Sequence, residues 1–206
     1  MKKEYLYSYI CYIISAFCVS LAIKANVGVS SFNSMNAAIS DVSSIKIGTI
    51  TIFFNTFFLL LYAKHTDFKY KIKYTVQFVS VMCFGFFINF FTYNVLGDLY
   101  VEDYALRLLM IVISTVLGAS AIGVIVSLSR ITFPIESLCD ALSMSSNYSF
   151  RQLRYGIDIF SVTVSLLITS LFHVPLYVRE GTIISLVLFS FVLSVSKGKI
   201  DKLKPA

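Results

Sequence analysis

Six long apolar stretches, separated by short polar ones, restrict the fold of this chain more than any other feature. They cover residues 5–25, 47–63, 74–96, 105–128, 153–172 and 182–195. A helix of about 20 apolar residues spans a bilayer, and only 14% of this chain is charged. The stretches are continuously apolar, whereas barrel strands alternate. The sequence therefore predicts an all-α polytopic membrane protein with six transmembrane helices and the lipid bilayer as its main partner.

The N-terminal stretch begins like a signal peptide, because Lys2 and Lys3 precede an apolar run. The run is longer than the 7–15 apolar residues that are typical of a signal peptide. We therefore interpret it as an uncleaved first helix. The sixth stretch, 182–195, is the shortest of the six.

The basic residues predict how the spans are oriented. If the N-terminus is cytoplasmic, 13 of the 17 Lys and Arg residues lie on the cytoplasmic side of six spans. The other four are Lys24, Lys46, Arg107 and Arg179. Cytoplasmic loops carry an excess of Lys and Arg, so both termini are expected to be cytoplasmic. The net charge of +6 then reflects topology, and no nucleic-acid partner is expected.

An internal repeat relates residues 27–62 to residues 130–165, with an offset of 103 and no gap. Asn55 and Asp158, each a lone polar residue in an apolar stretch, occupy equivalent positions. Identical pairs are Ser34/Ser137, Ala38/Ala141, Ser40/Ser143 and Ser43/Ser146. Three spans per half is an odd number, so the second half would be inverted, as in many secondary transporters. We expect a single membrane domain over 1–206, with repeat one at 1–97 and repeat two at 105–200.

Each repeat contains a short amphipathic segment, 32–44 in the first and 134–146 in the second. At 1.5 Å per residue a segment of about 13 residues is about 20 Å long, too short to span a bilayer. One arrangement places both segments flat in the interface. The other makes them re-entrant: the linkers 26–31 and 130–134 dip inward, and the positive N-terminal ends of the helices converge near the centre. The sequence leaves both arrangements open.

Polar residues in and beside these segments form the candidate substrate-binding set. Its members are Ser31, Asn33, Asn36, Asn55, Glu136, Asp140 and Asp158. Ionisable residues inside a membrane are costly and are functional candidates by default. Arg154 is one helical turn before Asp158, which predicts an ion pair with either a gating or a purely structural role. Glu136 and Asp140 are four residues apart and share a helix face, which either faces a polar path or is a solvated surface.

The sequence shows no pattern typical of an enzyme. It has no His-Glu-x-x-His, no nucleophile elbow and no phosphate-binding loop. His65 and His173 fall on opposite sides of the predicted membrane, and the four cysteines are dispersed. No catalytic residue, metal site or cofactor is expected.

Short motifs resemble the YczE/YyaS/YitT-like family of bacterial integral membrane proteins. They are Gly28, Ser31-Phe32-Asn33, Ile47-Gly48-Thr49-Ile50-Thr51 and Pro134-Ile135-Glu136. The first motif of that family usually reads Gly-Pro-Trp-Asp, so positions 31–33 of this chain depart from it. The resemblance implies a fold and a place in the bacterial cell membrane, but no activity.

Three functions fit this architecture. A small transporter or permease-like protein would hold a small molecule or an ion between the two halves. A non-transporting accessory protein would stabilise or regulate a partner and have a dry, packed centre. A channel would need a continuous polar lining, which so few polar residues disfavour. The sequence leaves open the substrate, the coupling ion and whether the protein is a homodimer.

Overall fold

The structure, a computed structural model, describes residues 2–128 and 132–203 and consists of eight helices there. Arg130, expected on the cytoplasmic side, and the first residues of the second linker lie outside the described residues. A five-residue π-helical turn, Phe91–Val95, extends α4. The helices are α1 Lys2–Ala25, α2 Ser31–Ser43, α3 Ile47–His65, α4 Lys71–Phe90, α5 Tyr104–Leu128, α6 Pro134–Ser145, α7 Phe150–Phe172 and α8 Glu180–Leu203.

Six of these helices are long and apolar enough to cross a membrane: α1, α3, α4, α5, α7 and α8. The predicted all-α polytopic fold with six long apolar helices is thus confirmed. The main difference concerns the sixth, expected over 182–195, because its spanning part runs over Glu180–Ile200. Lysines such as Lys199 let a helix continue beyond its apolar part, since their apolar stems lie along it while the ammonium group reaches water.

The two short helices begin where the sequence predicts. Pro134 is the first residue of α6, where its missing N–H is no loss. Ser30 precedes α2 in the N-cap position, but its hydroxyl does not cap a backbone N–H. It accepts instead from the side-chain amide of Asn33, at 3.0 Å.

The helix ends of the two halves correspond with the offset found in the sequence. The first long helix ends at residue 25 in one half and 128 in the other, the short helix begins at 31 and 134, and the next long helix begins at 47 and 150. Each pair differs by 103 positions. The packing corresponds as well, because α2 packs on α7 while α6 packs on α3. Each short helix therefore contacts a long helix of the other half.

The remaining long helices form a row in which α4 contacts α1, α1 contacts α5, and α5 contacts α8. The small residues of α5 allow this close packing. A Cβ atom added to Gly118 would lie 3.3 Å from the Cβ of Cys18 on α1, and Ala119 is fully buried. The small-residue face of α5 thus makes a close helix contact with α1.

The helices α3 and α4 cross at two glycines. A Cβ on Gly48 would lie 2.1 Å from the carbonyl oxygen of Gly85, a distance that no real Cβ contact shows. Asn89 of α4 strengthens the crossing, because its Oδ1 accepts from the N–H of Gly48 at 2.8 Å and its Nδ2 donates to Thr49 Oγ1 at 3.0 Å. Interhelical side-chain amides of this kind hold spans together.

We predict that Gly48→Ala separates α3 from α4 and destabilises the protein. The obstacle is backbone, so the helices themselves must shift, and overpacking of this kind costs about 1–3 kcal/mol. The thermal unfolding midpoint of the purified protein should fall. Gly198→Ala is the matched control, because nothing lies within 4 Å of its added Cβ. An equal effect in both variants would contradict the prediction.

Candidate functional site

The short helix α2 begins deep beside α3. The ring of Phe32 lies 6.4 Å from the ring of Phe54 and 6.2 Å from that of Phe58. Phe54 and Phe58 come seven and eleven residues after Ile47, the first residue of α3, or about 10–16 Å along the helix axis. Since α3 has 19 residues, the start of α2 lies near the middle of its length.

The second short helix, α6, also begins deep in the helix bundle. The ring of Phe133, the residue before α6, lies 4.6 Å from the ring of Tyr12 on α1 and 5.4 Å from that of Phe84 on α4. Tyr12 is ten residues into α1, and Phe84 is thirteen residues into α4. The first residues of both short helices thus contact neighbouring long helices near the middle of those long helices.

Burial along α2 differs from that of a helix lying in a membrane interface. Its first ten residues are buried or half-buried on every face, and its last three are exposed. Even polar side chains on opposite faces are covered, since Ser34 and Asn36 are fully buried and Ser40 is 8% exposed. A flat interfacial helix would instead leave its polar face in water.

Residues 26–30, which we name the first break, are hydrogen-bonded by the start of α8. The N–H of Gly181 donates to Val27 O at 2.8 Å, Thr182 Oγ1 donates to Val29 O at 2.8 Å, and Val29 N–H donates to Tyr177 O at 3.2 Å. Gly28 has φ +105°, a conformation that glycine adopts at little cost. The non-helical backbone of one half is therefore satisfied by the other half.

Residues 129–133, the second break, receive a reciprocal contact at the two residues that the structure describes, 132 and 133. Gln77 of α4 is 1% exposed, and its Nε2 lies 2.9 Å from both the carbonyl oxygen and Oγ1 of Thr132 and 2.7 Å from Ser137 Oγ. The carbonyls of Val29 and Thr132 are equivalent in the repeat, since 132 and 29 differ by 103. Each accepts from a side chain of the other half.

Tyr177, between α7 and α8, is hydrogen-bonded to the last turn of α2. Its hydroxyl donates to Asp41 Oδ2 at 2.6 Å. Burial, followed by this hydrogen bond, raises the pKa of Tyr177 above its ordinary value. The phenol therefore stays protonated and remains a donor at neutral pH.

A stripe of polar residues faces inward along α7. Arg154, Asp158, Ser161 and Ser165 recur at intervals of four, three and four residues and so share one helix face. Ser161 and Ser165, both fully buried, are the two residues of α7 that rank as buried. Ser165 Oγ donates to the carbonyl oxygen of Ser34 on α2, at 3.1 Å. The opposite face exposes large apolar residues, including Ile159 and Leu171, as expected against lipid.

Three charged residues meet where α6 packs on α7, and we name them the charged cluster: Glu136, Arg154 and Asp158. Arg154 NH1 donates to Asp158 Oδ1 at 2.8 Å, and Arg154 Nε lies 3.7 Å from Glu136 Oε1. Their side chains are 35%, 29% and 18% exposed for Glu136, Arg154 and Asp158 respectively. The predicted Arg154–Asp158 ion pair is confirmed, and Glu136 joins it from another helix.

Six buried polar atoms have no hydrogen-bond partner in the part of the chain that the structure describes. They are Tyr12 OH, Ser15 Oγ, Asn36 Oδ1, Thr56 Oγ1, Gln77 Oε1 and Glu136 Oε2. Most buried polar groups in proteins are paired, so each exception calls for an explanation. Asn36 and Glu136 lie in the first two turns of α2 and α6, and Tyr12 and Gln77 contact residues 133 and 132 at the start of α6, as in a site that holds water or a ligand.

The remaining candidates of the first half surround the start of α2. Ser31 is its first residue and is buried. The side-chain amide of Asn33 donates to Ser30 Oγ, as described above. Asn36 donates to Thr51 Oγ1 at 3.1 Å, and Asn55 donates to Thr51 O at 2.9 Å. In the repeat, Thr51 and Asn55 correspond to Arg154 and Asp158. The first half thus carries a neutral counterpart of the charged pair.

Asp140 is not brought to the charged cluster. It is exposed, whereas one oxygen of Glu136, a turn earlier on α6, is fully buried. The two carboxylates share a helix face, but α6 emerges from the bundle between them. Asp140 stays a predicted site residue that the geometry does not connect with the others.

A cleft of about 600 Å³ opens between α2, α3 and α7. Pockets for small molecules have a similar size. Aromatic side chains dominate its wall, and the polar residues Gln152 and Ser161 lie on its α7 side. Its lining includes Met35, Phe54, Phe57, Phe58, Tyr148 and Phe160.

Sequence reasoning missed Tyr12, Gln77 and the inward serines of α7. Gln77 carried a usable signal, because it is a lone amide in an apolar stretch. Ser161 and Ser165 continue the spacing that begins at Arg154. Tyr12 carried none, since a tyrosine in an apolar stretch is ordinary. Among the described residues, no group of three or more His, Cys, Asp or Glu side chains could hold a metal ion.

Comparison with known proteins identifies one relationship. A family model described as a family of unknown function, DUF6198, matches residues 2–197. No curated protein and no solved structure matches the chain significantly. The match covers both halves and all six long helices.

We predict that Arg154→Gln strongly destabilises the protein. It leaves two partly buried carboxylates without a positive partner; breaking a fully buried ion pair from one side costs about 3–5 kcal/mol, and a partly exposed one costs less. Thermal unfolding in detergent measures the effect. Arg151→Gln is the matched control, because Arg151 is exposed on the same helix and the variant removes the same charge. Adding Asp158→Asn to Arg154→Gln should recover part of the loss, and a double variant as unstable as the single one would contradict the ion-pair explanation.

Proposed function

The chain belongs to the DUF6198 family of unknown function, and we propose that this member is a small transporter or permease-like protein. Its substrate site would lie between two inverted three-helix repeats, at the starts of α2 and α6. One observation carries the proposal: two short helices begin at central positions of the bundle, and buried polar atoms without a described partner lie on Asn36 and Glu136, in the first two turns of α2 and α6. Inverted repeats with broken helices at a central site are typical of secondary transporters.

The re-entrant arrangement of α2 and α6 supports this function. Irregular backbone inside a membrane is tolerated only against protein or a water-filled cavity. The two breaks meet that condition through hydrogen bonds from α8 and α4. With both termini cytoplasmic, the start of α2 is reached from outside and the start of α6 from the cytoplasm.

The polar stripe of α7 provides a path toward this centre. It runs from Arg154 near the cytoplasmic end to Ser165 beside α2. A span that turns charged and hydroxyl side chains inward and apolar ones outward suits a helix that lines a polar route. In this role Arg154 and Asp158 would gate the route, while Asn36 and Glu136 would contact the substrate.

The alternative is a non-transporting accessory protein, and one observation favours it. Arg154 and Asp158 already neutralise each other at 2.8 Å, and the core around Ile88 and Ile125 is fully buried. A packed centre of this kind needs no substrate. The unpaired oxygen of Glu136 is the feature that this alternative leaves unexplained.

Localisation follows the same proposal. We place the protein in the bacterial cell membrane with both termini in the cytoplasm, on the basis of the lysine and arginine distribution and the resemblance to the YczE/YyaS/YitT-like family. The link between that family and DUF6198 is part of the proposal. The lipid bilayer is the expected partner, and a homodimer is one arrangement that would enlarge a six-span transporter.

Cysteine accessibility in intact cells tests the proposal. In a variant without the four native cysteines, Phe32→Cys and Pro134→Cys place thiols at the deep starts of α2 and α6. We expect Phe32→Cys to react with a small aqueous thiol reagent from outside and Pro134→Cys to react from the cytoplasmic side, because a transport route is hydrated at its centre.

Three control positions make the result decisive. Val42→Cys and Met144→Cys lie at the exposed ends of α2 and α6 and should react from opposite sides. Ile159→Cys, 67% exposed on the apolar face of α7, should stay unreactive because lipid covers it. If Val42→Cys and Met144→Cys react while both deep positions do not, the centre is dry and the accessory function replaces the transporter.

A further inference from the structure

The charges of the three residues in the charged cluster do not sum to zero. Glu136 and Asp158 supply two negative charges and Arg154 supplies one positive charge, which leaves −1. The N-terminal end of α6, where Glu136 lies in the first turn, contributes roughly +0.5 of an elementary charge. Within the described residues, about half a negative charge is left uncompensated in a partly buried place, where isolated charge is costly.

Two buried oxygens near this residual negative charge have no hydrogen-bond partner among the described residues. Glu136 Oε2 is fully buried without a hydrogen bond, and so is the hydroxyl of Tyr12, a residue only 2% exposed. The ring of Tyr12 lies 4.6 Å from the ring of Phe133, three residues before Glu136, which places Tyr12 beside the first turn of α6. A tyrosine hydroxyl can both donate and accept, so it can share a bound cation with a carboxylate oxygen.

We infer that Glu136, Arg154, Asp158 and Tyr12 form a binding site for one exchangeable alkali-metal cation. The inference deepens the proposed function, on which it rests for the role of the site, since it names a coupling ion. The small residual charge suits reversible binding of one positive charge. A divalent metal is disfavoured, because the described residues contain no cluster of three typical metal ligands.

The neighbouring groups leave Glu136 as the free acceptor. Asp158 already accepts from Arg154 at 2.8 Å, whereas Glu136 is 3.7 Å from it. The charged and titratable groups that face Glu136 are Arg154 and Asp158 of α7, Tyr12 of α1 and Cys139 of its own helix. From α3, Tyr62 packs with Leu138, beyond Glu136 on α6.

The repeat predicts a single cation site. In the first half, the positions equivalent to Glu136, Arg154 and Asp158 are Asn33, Thr51 and Asn55, all neutral. The first half can therefore offer a polar site for a neutral or polar group, and only the second half can attract a cation by charge.

The unfolding midpoint of the full-length protein in detergent tests the site. We expect the midpoint to rise by roughly 5 °C when the cation is about a hundredfold above its dissociation constant, because the ligand binds the folded state alone. The measurement compares NaCl and KCl with choline chloride at equal ionic strength, and the site predicts the rise in NaCl or KCl only.

Matched variants assign the effect to the site. Glu136→Gln should lose the rise, whereas Asp140→Asn, which removes an exposed carboxylate one turn later, should keep it. Tyr12→Phe keeps the ring against Phe133 and should weaken binding about tenfold, because only an unpaired hydroxyl is lost. Tyr12→Phe also carries the test if Glu136→Gln does not fold.

A midpoint that responds to no cation, or that responds equally in the wild type, Glu136→Gln and Tyr12→Phe, would overturn the inference. The two proposals fail separately. A cation-dependent midpoint without thiol labelling at Phe32→Cys and Pro134→Cys supports the cation site and contradicts the transporter function. Labelling at these positions without a cation-dependent midpoint supports the transporter function and contradicts the cation site.

Discussion

The fold depends on satisfying the backbone at two helix breaks inside a bundle of apolar helices. Lipid offers no hydrogen bonds, so each exposed N–H and C=O of a break must find a protein partner. The first break receives its bonds from residues at the start of α8, and the described part of the second receives them from Gln77 of α4. At Val27, Val29 and Thr132 these bonds come from the other half. The halves are therefore mutually dependent, which explains why each short helix packs on a long helix of the other half.

The sequence predicts the helices well because their signals are local. Apolar length identifies the six spans, and the offset of 103 places equivalent helix ends correctly in both halves. Contacts between distant segments escape this reasoning. Glu136 and Asp140 share a face by spacing, yet they differ by about 6 Å in position along α6, and packing buries only the earlier one. Tyr12 belongs to the site because Phe133 is folded against it, which no pattern near Tyr12 reveals.

The two halves share a backbone plan but differ in chemistry and packing. Thr51 and Asn55 are neutral and nearly fully buried, whereas their counterparts Arg154 and Asp158 are charged and partly exposed. Of the apolar part of α3, 44% is buried, against 11% for α7. The tight crossing at Gly48 fixes α3 to α4, while α7 shows no comparable crossing among the described residues. One half thus forms a packed support, and the other carries the charges.

This difference leaves α7 freer to move than α3. Its buried residues are two serines, so little apolar area holds it in place, and a shift would expose little that water or lipid cannot cover. Elements with few buried apolar contacts lie at the low end of local stability. The hydrogen bond from Ser165 to α2 and the ion pairs of Arg154 then become the main restraints on its position.

A change of charge at Glu136 would alter the second restraint directly, because Arg154 is shared between Glu136 and Asp158. An occupied cation site would weaken the hold of Glu136 on Arg154 and leave α7 tied to α6 by fewer contacts. If the site binds an ion, its binding and a movement of α7 would be coupled through the guanidinium group of Arg154.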